Sequence, residues 1–132
     1  MIWQAGSNTA LRNDDLEGHR RDMQAGLDRL NAIGADVVVM TPQYAPAMIA
    51  APRHLEIVAQ LADVASKSNP GVFRRFEIMR AWKHAGIGFP EMLAPDGLHM
   101  NDWSYGCTAR LLADAIAAAA KAQVRGPLIS AR

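Results

Sequence analysis

The sequence predicts an α/β fold in which a parallel sheet is covered by helices on both faces. Short apolar segments at residues 2–5, 36–40 and 72–73 alternate with longer stretches of helical periodicity, the pattern of successive β–α–β units. The segment at 36–40 is apolar without alternation, which indicates a strand buried on both faces. This order of elements predicts parallel strands joined by right-handed crossovers.

The first predicted strand, at residues 2–5, ends at the turn-forming run Gly6-Ser7-Asn8. A helix then begins near Asp14 or Asp15, because either side chain can accept hydrogen bonds from first-turn amides. Gly34 ends this helix. Its apolar side chains recur at three- and four-residue steps or their multiples and form one stripe: Leu16, Met23, Leu27, Leu30 and Ile33.

The remaining elements follow in the same alternation. They are the strand at 36–40, a loop at 41–46, a helix at about 53–68, the strand at 72–73, a helix at about 75–84, a loop through 96–99 and an Ala-rich helix at about 103–123. Arg74 and Arg75 are expected to form a solvated helix start. We expect one domain over residues 1–126 and a tail at 127–132.

Composition excludes several classes of function. The 132 residues carry 14 basic and 13 acidic side chains, a net charge of +1, which argues against a nucleic-acid surface. The single cysteine excludes an intrachain disulfide and a cysteine-rich metal site. No apolar run approaches the ~20 residues of a membrane span. The histidines lack metal-ligand spacing with a neighbouring carboxylate, so no metal site is expected.

The strongest chemical motif is Asp96-Gly97-Leu98-His99, a carboxylate three residues before an imidazole in a loop that precedes a helix. That spacing lets Asp96 accept a hydrogen bond from Nδ1–H of His99, which fixes the tautomer and stabilises the imidazolium when Nε2 takes a proton. His99 is therefore the candidate general base and Asp96 its orienting acid. The alternatives stay open: His99 as a loop histidine that caps the next helix, and Asp96 as a turn residue before Gly97.

Two other loops leave the carboxyl ends of predicted strands, where ligands gather in parallel α/β sheets. Asn8 can donate Nδ2–H to a developing oxyanion. Gly6, Gln43 and Tyr44 are candidates for lining the substrate pocket. The structural alternatives are that Asn8 is an ordinary turn residue, and that Gln43 and Tyr44 form hydrogen bonds with the backbone of their own loop.

No nucleophile accompanies this constellation. The Gly-x-Ser-x-Gly elbow, the Gly-rich dinucleotide loop and the Walker loop are all absent from the sequence. Cys107 falls inside the last predicted helix, where a small buried apolar role is expected. Ser7 and Ser104 do not occupy positions from which an attack is expected.

Gly6-Ser7-Asn8 and Asp96-Gly97-Leu98-His99 together resemble the third and fifth blocks of the SGNH (GDSL-type) esterase and acylhydrolase family. The flanking strands and the helix after His99 resemble that family too. The resemblance implies a three-layer α/β/α flavodoxin-like fold with strand order 2-1-3-4-5, of which this chain holds strands 3-4-5. It also implies a cofactor-free serine hydrolase of small-molecule carboxylic esters, with His99 as base, Asp96 as orienting acid and Asn8 in the oxyanion hole.

The chain departs from the family pattern in two respects. The Gly-Asp-Ser nucleophile block and the second-block glycine have no counterpart, and Thr9 follows Asn8 where the family often has Asp. We therefore expect a carboxyl-terminal portion that is close to inactive alone. A first strand whose outer edge lacks a partner strand predicts poor solubility or edge-to-edge self-association of the chain. The alternative is a non-catalytic flavodoxin-like binding module with a complete short sheet.

Overall fold

The computed structural model describes residues 1–68 and 71–124. The elements in chain order are β1 (Ile2–Gln4), α1 (Ser7–Arg12), α2 (Leu16–Ala32), β2 (Val38–Met40), α3 (Pro46–Ala50), α4 (His54–Ser68), β3 (Gly71–Phe73), α5 (Arg75–His84), α6 (Phe89–Met92) and α7 (Asp102–Val124). The domain limit at 126 and the tail at 127–132 lie outside the described residues, so both stay predictions.

The three strands form one parallel sheet in the order β1-β2-β3. Val39 of β2 lies between Trp3 of β1 and Val72 of β3 in the register of the sheet. The predicted α/β class and the truncated flavodoxin-like sheet are confirmed. Within the described ranges, the outer edge of β1 has no partner strand, which leaves its backbone groups free to pair.

Helices cover both faces of the sheet, but unequally. Val39 is fully buried in the larger core, which α2 and α4 supply with Leu27, Ile57 and Leu61 among others. Alternate residues of the strands point to the opposite face, where a smaller cluster joins Met40 and Phe73 to Leu112 of α7. The three layers predicted from the sequence are therefore present, with α7 covering its face only in part.

The short helices α1, α3 and α6 occupy segments where the sequence predicts loops. The Gly6-Ser7-Asn8 turn is the start of α1, with Gly6 as its N-cap in the left-handed region at φ 91°. Proline stands in the first turns of α3 and α6, where its missing N–H costs nothing. The predicted cap at Asp15 is confirmed, since its carboxylate accepts from the backbone N–H groups of Glu17 and Gly18.

Gly6 is the position where a side chain is least tolerable. A Cβ there would lie 2.8 Å from Ile57 Cγ2 and 2.9 Å from Leu61 Cδ1, both fully packed in the core. Gly6→Ala is expected to lower the free energy of unfolding by on the order of 2–4 kcal/mol, through backbone strain and overpacking together. Urea unfolding followed by circular dichroism measures the loss.

Gly34→Ala is the matched control for this substitution. Gly34 also has a left-handed backbone, at φ 72°, but no atom lies within 4 Å of its would-be Cβ. Its replacement should lower the free energy of unfolding through backbone strain alone, by about 1–2 kcal/mol. Equal losses in the two variants would contradict the close packing of Gly6 on α4.

Candidate active site

The loop between α6 and α7 is built as a small hairpin that presents Asp96 and His99 at its tip. Leu93 and Met100 form an antiparallel bridge, and the N–H of Ala94 donates to the carbonyl of His99 over 2.8 Å. Gly97 makes the turn with a left-handed φ of 67°. The hairpin stems are buried, so the loop that carries His99 is held by the core.

The Asp96 carboxylate organises this tip through three hydrogen bonds. Its Oδ1 accepts from the backbone N–H groups of Leu98 and His99, each over 2.9 Å. Its Oδ2 lies 2.7 Å from His99 Nδ1. Asp96 is therefore both the turn residue and the imidazole partner, two roles that the sequence analysis had set against each other.

Those bonds keep Asp96 ionised. The hydrogen bond from His99, and then those from the Leu98 and His99 amides, lower the pKa of Asp96 from 3.8 to about 2. An ionised carboxylate can only accept, so the proton between the two groups belongs to Nδ1 of His99. In the neutral imidazole, Nε2 is then the nitrogen that carries the free lone pair. The His99 side chain is 64% exposed, so Nε2 is open to a reacting hydroxyl.

Asn101 and Ser104 anchor the hairpin to α7. The side-chain oxygen of Asn101 caps the helix by accepting from the Ser104 N–H, and its amide donates to the Glu91 carbonyl. The Ser104 hydroxyl is fully buried and donates to the Met92 carbonyl over 2.6 Å. Ser104 is thus a structural residue of the loop base, not a group facing His99.

The second candidate segment lies at the carboxyl end of β1. Asn8 is exposed in the first turn of α1. Ser7 beside it is partly buried, and its hydroxyl donates to Gln43 Oε1 over 2.9 Å. The Ser7 hydroxyl is therefore committed to the loop after β2. Gly6 is buried behind this turn, where it allows α1 to approach α4.

The two candidate residues of the loop after β2, Gln43 and Tyr44, are engaged by other side chains of the fold. Gln43 is buried and bridges Ser7 to Arg75, whose Nη2 donates to the same Oε1 over 3.1 Å. The ring of Tyr44 packs edge-on against Phe76 and stacks on Phe89. Both residues hold the loop in place through these contacts.

Arg75 is the residue that sequence reasoning placed wrongly. It was expected at a solvated helix start, yet it is 2% exposed, and its guanidinium reaches residues at the carboxyl ends of β1 and β2. Its position directly after a strand, with Gln4 and Gln43 near the ends of the other two strands, is the signal that could have identified it. Contacts thus link Ser7 to Gln43, Gln43 to Arg75, and Arg75 to Met100, which is the residue next to His99.

Comparison with protein families decides the relationship of this chain. The model of the Non-GDSL lipase-like family matches residues 1–122. The chain belongs to the Non-GDSL lipase-like family. This Non-GDSL lipase-like chain is thus hydrolase-related, and the resemblance to the SGNH group without its nucleophile block is confirmed. No curated protein and no solved structure matches it significantly.

The described part of this lipase-like chain offers neither a metal site nor a membrane-spanning helix, but it has an apolar hollow beside the hairpin. Among residues 1–68 and 71–124, no three side chains of His, Cys, Asp and Glu gather into a group that could bind a metal ion. No helix in the same part of the chain is both long enough and apolar enough to cross a membrane. A hollow of about 320 Å³ borders the hairpin and is lined by apolar residues that include Phe89, Leu93 and Pro95.

Proposed function

We propose that this chain supplies the acid–base half of a serine-type hydrolase of carboxylic esters. His99 is the general base, Asp96 orients it, and Asn8 donates to the oxyanion. The observation that carries the proposal is the 2.7 Å contact between His99 Nδ1 and Asp96 Oδ2, at a loop tip with Nε2 free. The lipase-like family supports the same class of reaction.

The proposed reaction proceeds through an acyl-enzyme. Nε2 of His99 takes the proton of a serine hydroxyl while its oxygen bonds to the ester carbonyl carbon. Asn8 Nδ2–H stabilises the negative oxygen of the tetrahedral intermediate. As the bond to the alcohol breaks, the imidazolium returns its proton to the departing oxygen. Water then repeats the sequence on the acyl-enzyme, releasing the acid and the serine, so no metal or redox cofactor is required.

We propose that the nucleophilic serine belongs to a polypeptide segment other than these 132 residues. Ser7 and Ser104 both direct their hydroxyls into structural hydrogen bonds. Residues 1–126 would then be the carboxyl-terminal part of an SGNH domain, and 127–132 its tail. We call the assembly of this chain with the serine-bearing segment the complete enzyme. The chain alone is expected to hydrolyse esters at close to the uncatalysed rate.

Two features of the fold favour a further segment packed against this chain. The outer edge of β1 has no partner strand in the part of the chain that the structure describes. A groove of about 520 Å³ between α7 and the strands β2 and β3 is the second feature, and it is lined by apolar residues such as Val38, Phe73, Leu112 and Ile116. Without a covering segment, the same edge favours self-association of the chain, which stays a prediction.

The substrate proposed is a small-molecule ester with an apolar group. The hollow beside the hairpin is next to Asp96, since both sequence neighbours of Asp96, Pro95 and Gly97, form part of its wall. Its prolines fix the wall before any ligand binds, which reduces the entropy cost of binding. An acyl or alcohol chain can lie there with its ester group near His99.

Replacing Asn8 tests the oxyanion role. Asn8→Ala is expected to lower kcat of the complete enzyme by on the order of 10²–10³-fold with little change in KM, because the donor acts on charge that develops in the transition state. The measurement is steady-state hydrolysis of p-nitrophenyl acetate. Asn8 is exposed, so stability should hardly change. Thr9→Ala, on the same turn, is the control; equal effects of both would remove Asn8 from the oxyanion hole.

The coding DNA 5′ of the Met1 codon provides the first test of the proposed function. Two further β–α units, the first of them carrying an in-frame Gly-Asp-Ser block after its strand, are the expected result. A stop codon and a ribosome-binding site directly upstream, together with no serine-bearing partner chain, would favour the non-catalytic binding module. The second test is p-nitrophenyl acetate hydrolysis by the complete enzyme, which must depend on His99.

A further inference from the structure

Arg75 is a buried cation whose hydrogen-bond partners in the described part of the chain are all neutral. Its Nε donates to the Thr41 carbonyl over 3.0 Å, and Nη1 and Nη2 donate to the side-chain oxygens of Gln4 and Gln43 over 3.0 and 3.1 Å. Across residues 1–68 and 71–124, no carboxylate lies within ion-pair distance of its guanidinium. Within that part of the chain, the charge is thus hydrogen-bonded but has no counter-ion.

Such a charge is costly to the folded state. Burial lowers the pKa of Arg75 to about 10. The guanidinium is charged at neutral pH, so its hydrogen bonds to neutral groups are what offset the cost of removing it from water. The three acceptors on Thr41, Gln4 and Gln43 would lose their donor without the arginine, so the fold retains a costly charge to keep this network together.

The contacts of Arg75 join the two candidate catalytic segments. Gln43 Oε1 accepts from Arg75 and also from the hydroxyl of Ser7, the neighbour of Asn8. On its other side, Arg75 Nη1 lies 3.9 Å from the sulfur of Met100, the neighbour of His99. One rigid guanidinium plane thus fixes groups that are about ninety residues apart in the sequence.

We propose that Arg75 is a positioning residue for ester hydrolysis: it holds the Asn8 turn and the His99 hairpin in register and keeps an uncompensated positive charge at the edge of the sheet where the oxyanion forms. This inference rests on the proposed function. A charge that is buried and lacks a counter-ion acts over a longer range than a solvated one, because less solvent screens it.

Gln43→Glu separates the charge of Arg75 from the geometry. The carboxylate has the shape of the amide and can accept from both Arg75 and Ser7, so the network keeps its acceptor while the cation gains a counter-ion. We expect a higher urea midpoint for the 132-residue chain. In the complete enzyme we expect kcat to fall by on the order of 10–100-fold with KM unchanged. A merely structural Arg75 predicts the higher midpoint with an unchanged kcat.

Arg75→Met and Arg75→Lys test the geometry. In ¹H–¹⁵N NMR spectra of the chain, Arg75→Met should shift the amide signals of Ser7, Asn8, His99 and Met100 together. Arg75→Lys keeps the charge but loses the planar fork, so kcat of its complete enzyme should lie between those of the wild type and Arg75→Met. Arg80→Met, an exposed arginine on the same helix, should change neither segment nor kcat.

The outcomes distinguish this inference from the proposed function. If Gln43→Glu does not stabilise the chain, or stabilises it without slowing hydrolysis, the role of the Arg75 charge is refuted. Shifts confined to one of the two segments in Arg75→Met refute the positioning role, and if that variant does not fold, Arg75→Lys and Gln43→Glu decide. Hydrolysis that is unaffected by His99→Ala refutes the proposed function itself, and the inference with it.

Discussion

His99→Ala is expected to lower kcat of the complete enzyme by on the order of 10⁴–10⁶-fold, the largest effect of any single substitution in this chain. Without the imidazole, the serine hydroxyl has no base to take its proton and the alcohol no acid to protonate it. KM should change little, because the ring acts on the reacting proton and the hollow beside it binds the substrate. Steady-state hydrolysis of p-nitrophenyl acetate gives both constants.

His84→Ala is the matched control for this substitution. His84 is an exposed histidine in the last turn of α5 and has no place in the proposed site. His84→Ala should unfold at the wild-type urea midpoint, since its imidazole is solvated, whereas His99→Ala should lose only the small contribution of its exposed hydrogen bond to Asp96 and stay folded. A His84→Ala enzyme as slow as His99→Ala would show that the loss does not come from the proposed base.

Asp96→Asn is expected to lower kcat by on the order of 10³–10⁴-fold while His99 stays in place. The amide of asparagine can donate as well as accept, so it no longer obliges Nδ1 to carry the proton, and it offers no charge to the imidazolium. Asp102→Asn is the control, because Asp102 is also exposed and near the hairpin but belongs to the first turn of α7. Equal rate losses in the two variants would contradict the orienting role of Asp96.

The pH dependence of stability gives a second readout for the same substitution. The pKa of Asp96 is about 2 in the folded chain and lies near 3.8 without its hydrogen bonds. A depressed carboxyl pKa stabilises the fold above 3.8, and this contribution is lost as pH falls towards 2. The difference in unfolding free energy between wild type and Asp96→Asn should shrink across that window. A difference that is constant from neutral pH to 2 would exclude an ionised Asp96 as its source.

The hairpin shows how far local sequence determines a site. The spacing of Asp96 and His99 was sufficient to predict their contact, because a three-residue separation across Gly97 closes a turn by itself. The start of α5 at Arg75 was also predicted to the residue. Local patterns of this kind require no knowledge of the rest of the fold.

Arg75 shows where local reasoning fails. An arginine pair at a helix start is ordinarily solvated, and nothing near Arg75 in the sequence predicts that Gln4, Thr41 and Gln43 converge on it. That convergence depends on the parallel register of three strands, which is a tertiary property. The short helices α1, α3 and α6 were missed for a related reason, since single helical turns are stabilised by packing more than by periodicity.

Labelling with a fluorophosphonate, followed by mass spectrometry of the labelled peptide, tests the central claim most directly. The complete enzyme should carry the label on one serine outside these 132 residues, and His99→Ala should slow its attachment by at least a hundredfold. The 132-residue chain alone should remain unlabelled. A label on Ser7 or Ser104, or one that forms at the same rate without His99, would contradict the account.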